Sequence, residues 1–263
     1  MQLTLRHTLR LSLGTPARAV AHVLLTPPST PQQQVERWSI DMPGIAEAAS
    51  FRDGFGNRAQ LVSLVKPAGE LLVVAEGRVK TIDKAGVLGR LQYDPVPALF
   101  RRATALTGPD AALLDGLADG PDRIALFHEL MGRICERTAG QSQDTAGQSQ
   151  SQGGDATAAD RTHAFLGAAR ALGAPARYVT GYLLDDGGTA AVHAWAEAWD
   201  ESLGWIGFDP TLNLCPAESH VRLAAGLDAM SCPPLRTVPV WLDNVAGWIL
   251  ELDNGETVEI TAG

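Results

Sequence analysis

Residues 191–211, AVHAWAEAWDESLGWIGFDPT, decide the fold because they contain two strands and the turn between them. In the first half, small residues alternate with His193, Trp195 and Glu197, and this period of two is typical of a β-strand. The second half, GWIGFDP, is apolar and reaches Asp209 before a proline. The connection DESLG is short, so we predict two sequential antiparallel strands that bring His193 and Asp209 to neighbouring positions.

A helix and a further strand precede this pair. Residues 157–172 are alanine-rich, with Thr157 as a plausible N-cap and Gly173 as a C-terminal stop. The apolar run ARYVTGYLL, residues 176–184, then predicts a strand. The order of a helix followed by an antiparallel meander predicts an α+β fold.

The proposed His193–Asp209 pair suggests chemistry that needs a nucleophile. A carboxylate bound to one imidazole nitrogen fixes the tautomer and leaves the other nitrogen to serve a nucleophile. We expect that nucleophile at the start of the helix packed on the sheet, where the helix dipole lowers the pKa of a thiol. The residues at that place are ATAAD, 156–160, and they contain no thiol.

The chain resembles the bacterial transglutaminase-like family, also described as transglutaminase-like cysteine peptidases. The resemblance rests on ALGAPARYVTGYL (171–183), HAWAE (193–197) and GWIGFDPT (204–211), and it extends to DGFGN (53–57) and HVRLAAGLDA (220–229). It implies an N-terminal β-sandwich-like domain, residues 1–88, and a papain-like core with helices packed on an antiparallel sheet, residues 89–263. It also implies thiol acyl transfer or hydrolysis at peptide or glutamine-type amides by a Cys-His-Asp triad.

By this resemblance His193 matches the catalytic base and Asp209 its orienting acid. Ala158 stands where the family has the nucleophilic cysteine, and Ala156 stands where it has the preceding glycine. Asp160 and His163 match the other polar positions of the nucleophile helix.

Three explanations of Ala158 stay open. The chain is a natural pseudo-enzyme, which the additional loss of glycine at Ala156 favours, or an engineered Cys-to-Ala variant. The third explanation is an active enzyme with a nucleophile from elsewhere, for which Cys215 is the best candidate. The alternative function is a non-catalytic module that binds a peptide or protein in the retained groove, with Trp195 and Trp199 as its aromatic walls.

Composition limits the partners and cofactors that we expect. The formal net charge of −9 and the lack of a basic cluster argue against nucleic-acid and membrane partners. The opening LTLRHTLRL alternates and so predicts a strand instead of a signal peptide, which leads us to expect a cytoplasmic protein. No metal or organic cofactor is implied, because His193 has no second ligand at metal-binding spacing in the sequence.

The rest of the chain gives coarser predictions. Residues 1–83 contain period-two runs separated by turns and predict a small all-β sandwich, with DGFGN as a hairpin turn. Residues 139–154 repeat TAGQSQ without a large apolar side chain and predict a mobile loop. The tail predicts a hairpin that turns at DNG, residues 253–255.

Overall fold

The structure is a computed structural model that describes residues 1–12, 18–67, 69–117, 122–144, 157–185, 188–238 and 257–262. In chain order its strands and α-helices are β1 (Gln2–Ser12), β2 (Arg18–Val23), β3 (Gln33–Asp41), β4 (Ala49–Arg52), β5 (Arg58–Val65), β6 (Glu70–Thr81), β7 (Val87–Gly89), α1 (Ala111–Leu114), α2 (Arg123–Asp144), α3 (Ala158–Ala171), β8 (Ala176–Leu184), β9 (Ala190–Asp200), β10 (Gly204–Phe208), β11 (His220–Gly226), β12 (Leu235–Val238) and β13 (Thr257–Ala262).

The N-terminal region is a sandwich of two antiparallel sheets. One sheet has the strand order β13-β1-β6-β3 and the other β12-β2-β5-β4. Alternating apolar side chains such as Leu3, Leu5, Ala21 and Val62 come from both sheets and form one buried core. The all-β prediction for this region is confirmed.

The domain boundary expected between residues 88 and 89 does not coincide with the way in which the strands pair into sheets. Strand β7 spans that boundary and pairs with β10 in the core sheet. Strands β12 and β13 come from the end of the chain, yet they pair with β2 and β1 of the sandwich. The N-terminal sandwich is therefore completed by C-terminal strands.

The core is a five-stranded sheet of order β11-β8-β9-β10-β7. All of its strand pairs are antiparallel. In the register of β9 with its neighbours, Gly181 lies opposite His193 and Phe208 lies opposite Ala196. The predicted α+β class, with helices on an antiparallel sheet, is confirmed.

Helix α3 packs against one face of this sheet. The small side chains of Ala194, Ala196 and Ala198 on β9 join Phe165 of the helix in a buried cluster. Thr157 caps the helix as expected, because its side chain accepts a hydrogen bond from the Asp160 amide. At the other end Gly173 takes a φ of 75°, the left-handed conformation that stops a helix.

The loop predicted over residues 139–154 is only partly tested. Residues 139–144 form the end of α2, so the mobile-loop prediction is wrong for them. The remaining residues, 145–154, and the tail turn at 253–255 lie outside the described residues. No helix in the described part of the chain has the length and apolar content that crossing a bilayer requires.

Candidate active site

The predicted histidine–carboxylate pair is present, with His193 within β9 and Asp209 directly after β10. Nε2 of His193 lies 2.6 Å from Oδ2 of Asp209. The exposed fractions are 9% for His193 and 0% for Asp209, so the bond is shielded from water. Within the described ranges Nδ1 of His193 makes no hydrogen bond. The pair therefore leaves one imidazole nitrogen available as a base, which is the arrangement that nucleophilic catalysis uses.

A second histidine, which the sequence did not predict, binds the same carboxylate oxygen. Nε2 of His220, at the start of β11, lies 3.2 Å from Oδ2 of Asp209. The backbone N–H of Ala217 donates to Nδ1 of His220 at 3.4 Å. Because Nδ1 accepts there, the neutral ring carries its hydrogen on Nε2 and donates it to Asp209. Asp209 thus receives hydrogen bonds from two histidines.

The other oxygen of Asp209 is held by the backbone. Oδ1 accepts hydrogen bonds from the amides of Thr211 at 2.8 Å and Leu212 at 3.3 Å. Burial on its own would raise the pKa of Asp209, but hydrogen bonds from His193 and His220 and their electrostatic attraction outweigh it. The pKa of Asp209 is therefore held well below its usual value, and the carboxylate stays ionised.

The sequence led us to expect no metal, because His193 has no second ligand at metal-binding spacing. In the structure, however, ligand atoms of His193, Asp209 and His220 all lie within 4.8 Å of one another, so potential further ligands are present. A metal-bound histidine normally donates its other ring N–H to an acceptor. Nδ1 of His220 instead receives the Ala217 N–H, which fits a hydrogen-bonded carboxylate better than a metal centre.

The two indoles expected to line a groove are buried. Trp195 is 2% exposed and Trp199 is 6% exposed. Trp195 packs edge-on against His220 with ring centroids 5.4 Å apart, and Trp199 packs against Trp205. Trp195 supports the site from inside the core, whereas Trp199 belongs to a separate cluster with Trp205. The burial of both indoles does not fit the role of open groove walls.

Gly181 on β8 makes room for Trp195. A Cβ atom at Gly181 would lie 2.3 Å from the indole and 2.4 Å from the backbone oxygen of Val221. The glycine of the YVTGYL strand is therefore required by the close approach of Trp195, whose ring in turn packs beside His193 with centroids 6.4 Å apart.

Glu197, on β9, connects three strands of the core sheet through hydrogen bonds to two arginines. Its oxygens accept from Nε of Arg177 on β8 at 2.5 Å and from Nε of Arg222 on β11 at 2.9 Å. Burial alone would raise the pKa of Glu197, but the two guanidinium charges and their hydrogen bonds lower it. The acid of the HAWAE motif is thus a structural ion-pair centre.

Ala158 is the first residue of α3, as predicted for the nucleophile position. Asp160 accepts from the backbone N–H and hydroxyl of Thr157, so it completes a capping box. Nη1 of Arg161 lies 3.5 Å from the carbonyl oxygen of Thr211, which links the first turn of α3 to the loop that follows Asp209. The Thr211 amide in turn donates to Oδ1 of Asp209, so this contact connects the start of α3 with the loop that carries the carboxylate partner of His193.

His163 lies away from the histidine–carboxylate pair. Its Nε2 accepts from the amide of Ala229 at 3.2 Å, and its ring stacks on Tyr178 with centroids 5.1 Å apart. Burial lowers the pKa of His163, which keeps the ring neutral and able to accept that bond. The structure gives His163 a packing role.

The three cysteines lie in different parts of the core. Burial and the charge of Asp83 raise the pKa of Cys215, and burial raises that of Cys232 to about 12, so neither thiol is activated. Sγ of Cys135 on α2 lies 3.9 Å from the carbonyl oxygen of Thr211. Cys215 therefore lacks the electrostatic support that the third explanation of Ala158 needs.

We expect His220→Ala to raise the pKa of Asp209, because one of its two imidazole donors is lost. The same change is expected to lower the free energy of unfolding by about 1–3 kcal/mol at neutral pH. A depressed carboxyl pKa contributes stability above the unfolded pKa of about 3.9 and loses it as the pH falls, so the variant should depend less on pH in that acid range.

Carboxyl ¹³C NMR titration and urea unfolding at neutral and acid pH measure the two effects of His220→Ala. His220→Gln is the matched control because its amide retains an N–H donor, and we expect a smaller shift from it. An unchanged Asp209 titration in His220→Ala would show that the second histidine does not act on the carboxylate.

Comparisons with known proteins show which families and structures the chain is similar to. The model of the transglutaminase-like superfamily matches residues 125–210, and that of the bacterial transglutaminase-like N-terminal region matches residues 3–80. Uncharacterized proteins of Mycobacterium bovis and Mycobacterium tuberculosis are 24% identical over 261 residues, which cover 81% of this chain and 79% of each relative. The solved structure of a candidate cysteine protease from Cytophaga hutchinsonii is similar with a TM-score of 0.68 and 19% identity, over 99% of this chain and 90% of that one.

The fold is transglutaminase-like and is similar to that of the candidate cysteine protease. With both family regions matched in order, the chain belongs to the bacterial transglutaminase-like family.

Proposed function

We propose that this chain is a transglutaminase-like scaffold that has lost its thiol nucleophile at position 158 and does not form an acyl-enzyme. The observation that carries the proposal is the retained bond between His193 and Asp209. Helix α3, which starts with Ala158, contacts the loop after Asp209 through Arg161 and Thr211. A methyl group cannot attack a carbonyl. Loss of a triad nucleophile leaves only the modest catalysis of binding and oxyanion stabilisation.

The retained groups indicate which reaction this fold would support with a thiol at position 158. An ionised Asp209 holds Nε2 of His193, so Nδ1 is the nitrogen that would take a proton from a thiol. The capping box uses the N–H groups of Thr157 and Asp160, so the N–H groups of Ala158 and Ala159 and the positive dipole end of α3 are the features that would stabilise a thiolate and a developing oxyanion. These features fit acyl transfer or hydrolysis at a peptide or glutamine-type amide, with a peptide or protein as substrate or ligand.

A non-catalytic binding module is the second candidate function. It is favoured by the same retention of the His193–Asp209 pair without a thiol. The buried Trp195 and Trp199 do not supply its binding surface. A binding role would therefore depend on other surfaces of the molecule.

Incubation of the unmodified chain with glutamine-containing peptides and an amine tests the loss of activity. We expect no covalent acyl adduct in intact-mass spectra and no hydrolysis or transamidation product after long incubation. Cys135→Ser and Cys215→Ser are the control variants, since these thiols are the partly exposed ones. Turnover by the unmodified chain that either substitution abolishes would show that another cysteine is the nucleophile and would overturn the proposal.

A further inference from the structure

A positively charged cleft lies away from the His193–Asp209 pair, between the sandwich and the segment that leads into the core. Its volume is about 870 Å³, and it is lined by parts of residues 26–38, 52–58 and 90–94. This volume lies within the range of about 300–1,000 Å³ that is typical of ligand pockets. The cleft is large enough for several residues of a peptide.

The charge of the cleft is opposite to that of the whole chain. The chain has 30 acidic and 21 basic residues. In the cleft, five arginines face two acids; these residues are Arg37, Arg52, Arg58, Arg90 and Arg222, with Glu36 and Asp94. An arginine cluster in a low-dielectric cleft concentrates positive potential and attracts anionic groups.

Two of these arginines are held in place by aromatic rings. The guanidinium of Arg52 lies 3.6 Å from the centroid of Tyr93, and that of Arg90 lies 4.7 Å from the centroid of Trp199. Each also donates one hydrogen bond to a backbone carbonyl, at 3.0 Å for Arg52 and 2.7 Å for Arg90. Stacking fixes the plane of a guanidinium and leaves its other N–H groups free to bind a carboxylate.

Two further arginines of the cleft are not paired with an acidic side chain in the described part of the chain. In the part of the chain that the structure describes, Arg37 and Arg58 make no hydrogen bond or ion pair through their side chains. Arg222 differs, because Glu197 neutralises it inside the core. The anion-binding capacity of the cleft therefore rests on Arg37 and Arg58, with Arg52 and Arg90 beside them.

The walls of the cleft are preformed by the DGFGN turn. Oδ1 of Asp53 accepts from the amides of Phe55 and Asn57, and the Asn57 side chain exchanges two hydrogen bonds with the backbone of Ala225 on β11. Gly56 approaches Tyr93 so closely that a Cβ atom would lie 2.5 Å from the tyrosine carbonyl oxygen. The turn thus fixes one wall against the other, which reduces the ordering cost of binding.

We propose that this cleft binds an acidic peptide segment, whose carboxylates pair with Arg37, Arg58, Arg52 and Arg90. Apolar side chains of the peptide have contacts between the arginines, because Pro28, Trp38 and Phe55 also line the cleft. This binding does not depend on a thiol at position 158, so it stands or falls separately from the proposed acyl chemistry.

Fluorescence anisotropy with a labelled peptide of alternating glutamate and leucine tests the proposal on the full chain. The matched probe replaces each glutamate by glutamine. We expect the glutamate peptide to bind, the glutamine peptide to bind at least about 10-fold more weakly, and the affinity to fall as salt is added. Equal binding of both peptides, or no binding of either, would overturn the proposal.

Arg37→Gln and Arg58→Gln locate the site, and each should weaken glutamate-peptide binding about 3- to 10-fold. Both side chains are exposed, so the fold is expected to tolerate the changes. Arg102→Gln, at an exposed arginine outside the cleft, is the matched control and should bind as the unmodified chain does. Equal affinity in the cleft and control variants, or tighter binding of a single-stranded oligonucleotide than of the peptide, would contradict this assignment.

Discussion

Ala158→Cys is expected to produce a thiol with a pKa between about 4 and 7, compared with about 8.5 for a free cysteine. The physical cause is the position of residue 158 at the start of α3, where the helix dipole and unpaired N–H groups stabilise a thiolate. A histidine that Asp209 orients adds a second stabilising charge when it is protonated. At about pH 6 we expect alkylation by iodoacetamide at least about 10-fold faster than at an ordinary thiol.

The measurement for Ala158→Cys is the pH dependence of the alkylation rate, in a background that carries Cys135→Ser and Cys215→Ser. Ala164→Cys is the matched control, since Ala164 lies later in the same helix and packs on the same core. Adding His193→Gln to Ala158→Cys should raise the thiol pKa. A thiol at 158 that titrates and reacts like the one at 164 would remove the argument that position 158 is a nucleophile position.

Glu197→Gln is expected to lower the free energy of unfolding by about 3–5 kcal/mol, the largest stability effect that we anticipate. The substitution leaves the guanidinium groups of Arg177 and Arg222 in the core without their shared carboxylate, and these residues are only 0% and 7% exposed. Arg177 keeps an ion pair with Asp94 at 2.9 Å, so Arg222 loses the most. Urea unfolding at neutral pH measures the loss.

The pH dependence of Glu197→Gln follows from the direction of the pKa shift. The folded pKa of Glu197 lies below its ordinary value, so its stabilisation is present above the unfolded pKa of about 4.3 and declines as the pH falls. The difference between the variant and the unmodified chain should therefore shrink in acid. Glu76→Gln is the control, because its ion pair with Arg6 is half exposed and should contribute less than about 1 kcal/mol. Equal losses in both variants would show that the buried network has no special role.

Local patterns predicted the elements of the core well. The alternation in AVHAWAEAWD and the apolar run ARYVTGYLL correspond to β9 and β8, and Thr157 and Gly173 mark the two ends of α3. These features depend on residues close together in the sequence, where strand periodicity and helix capping apply directly. The His193–Asp209 contact was predictable for the same reason, because a short turn joins their strands.

The parts that sequence could not provide depend on pairings between distant segments. His220 reaches Asp209 from β11, a strand at the far edge of the sheet beyond β8 and β9, and no local pattern sets that edge. The sequence of the DGFGN turn predicts an ordinary hairpin connection. In the structure, the Asn57 side chain also binds the backbone of Ala225, 168 residues later. The burial of Trp195 likewise follows from its fit against Gly181 on the neighbouring strand.

The central claim is that position 158 is the place of a lost sulfur served by His193, and a crystal structure of Ala158→Cys tests it most directly. We expect the introduced Sγ within about 3–4 Å of Nδ1 of His193, with Nε2 still bound to Asp209. An introduced Sγ that lies on the other side of the sheet, out of reach of the imidazole, would contradict the account.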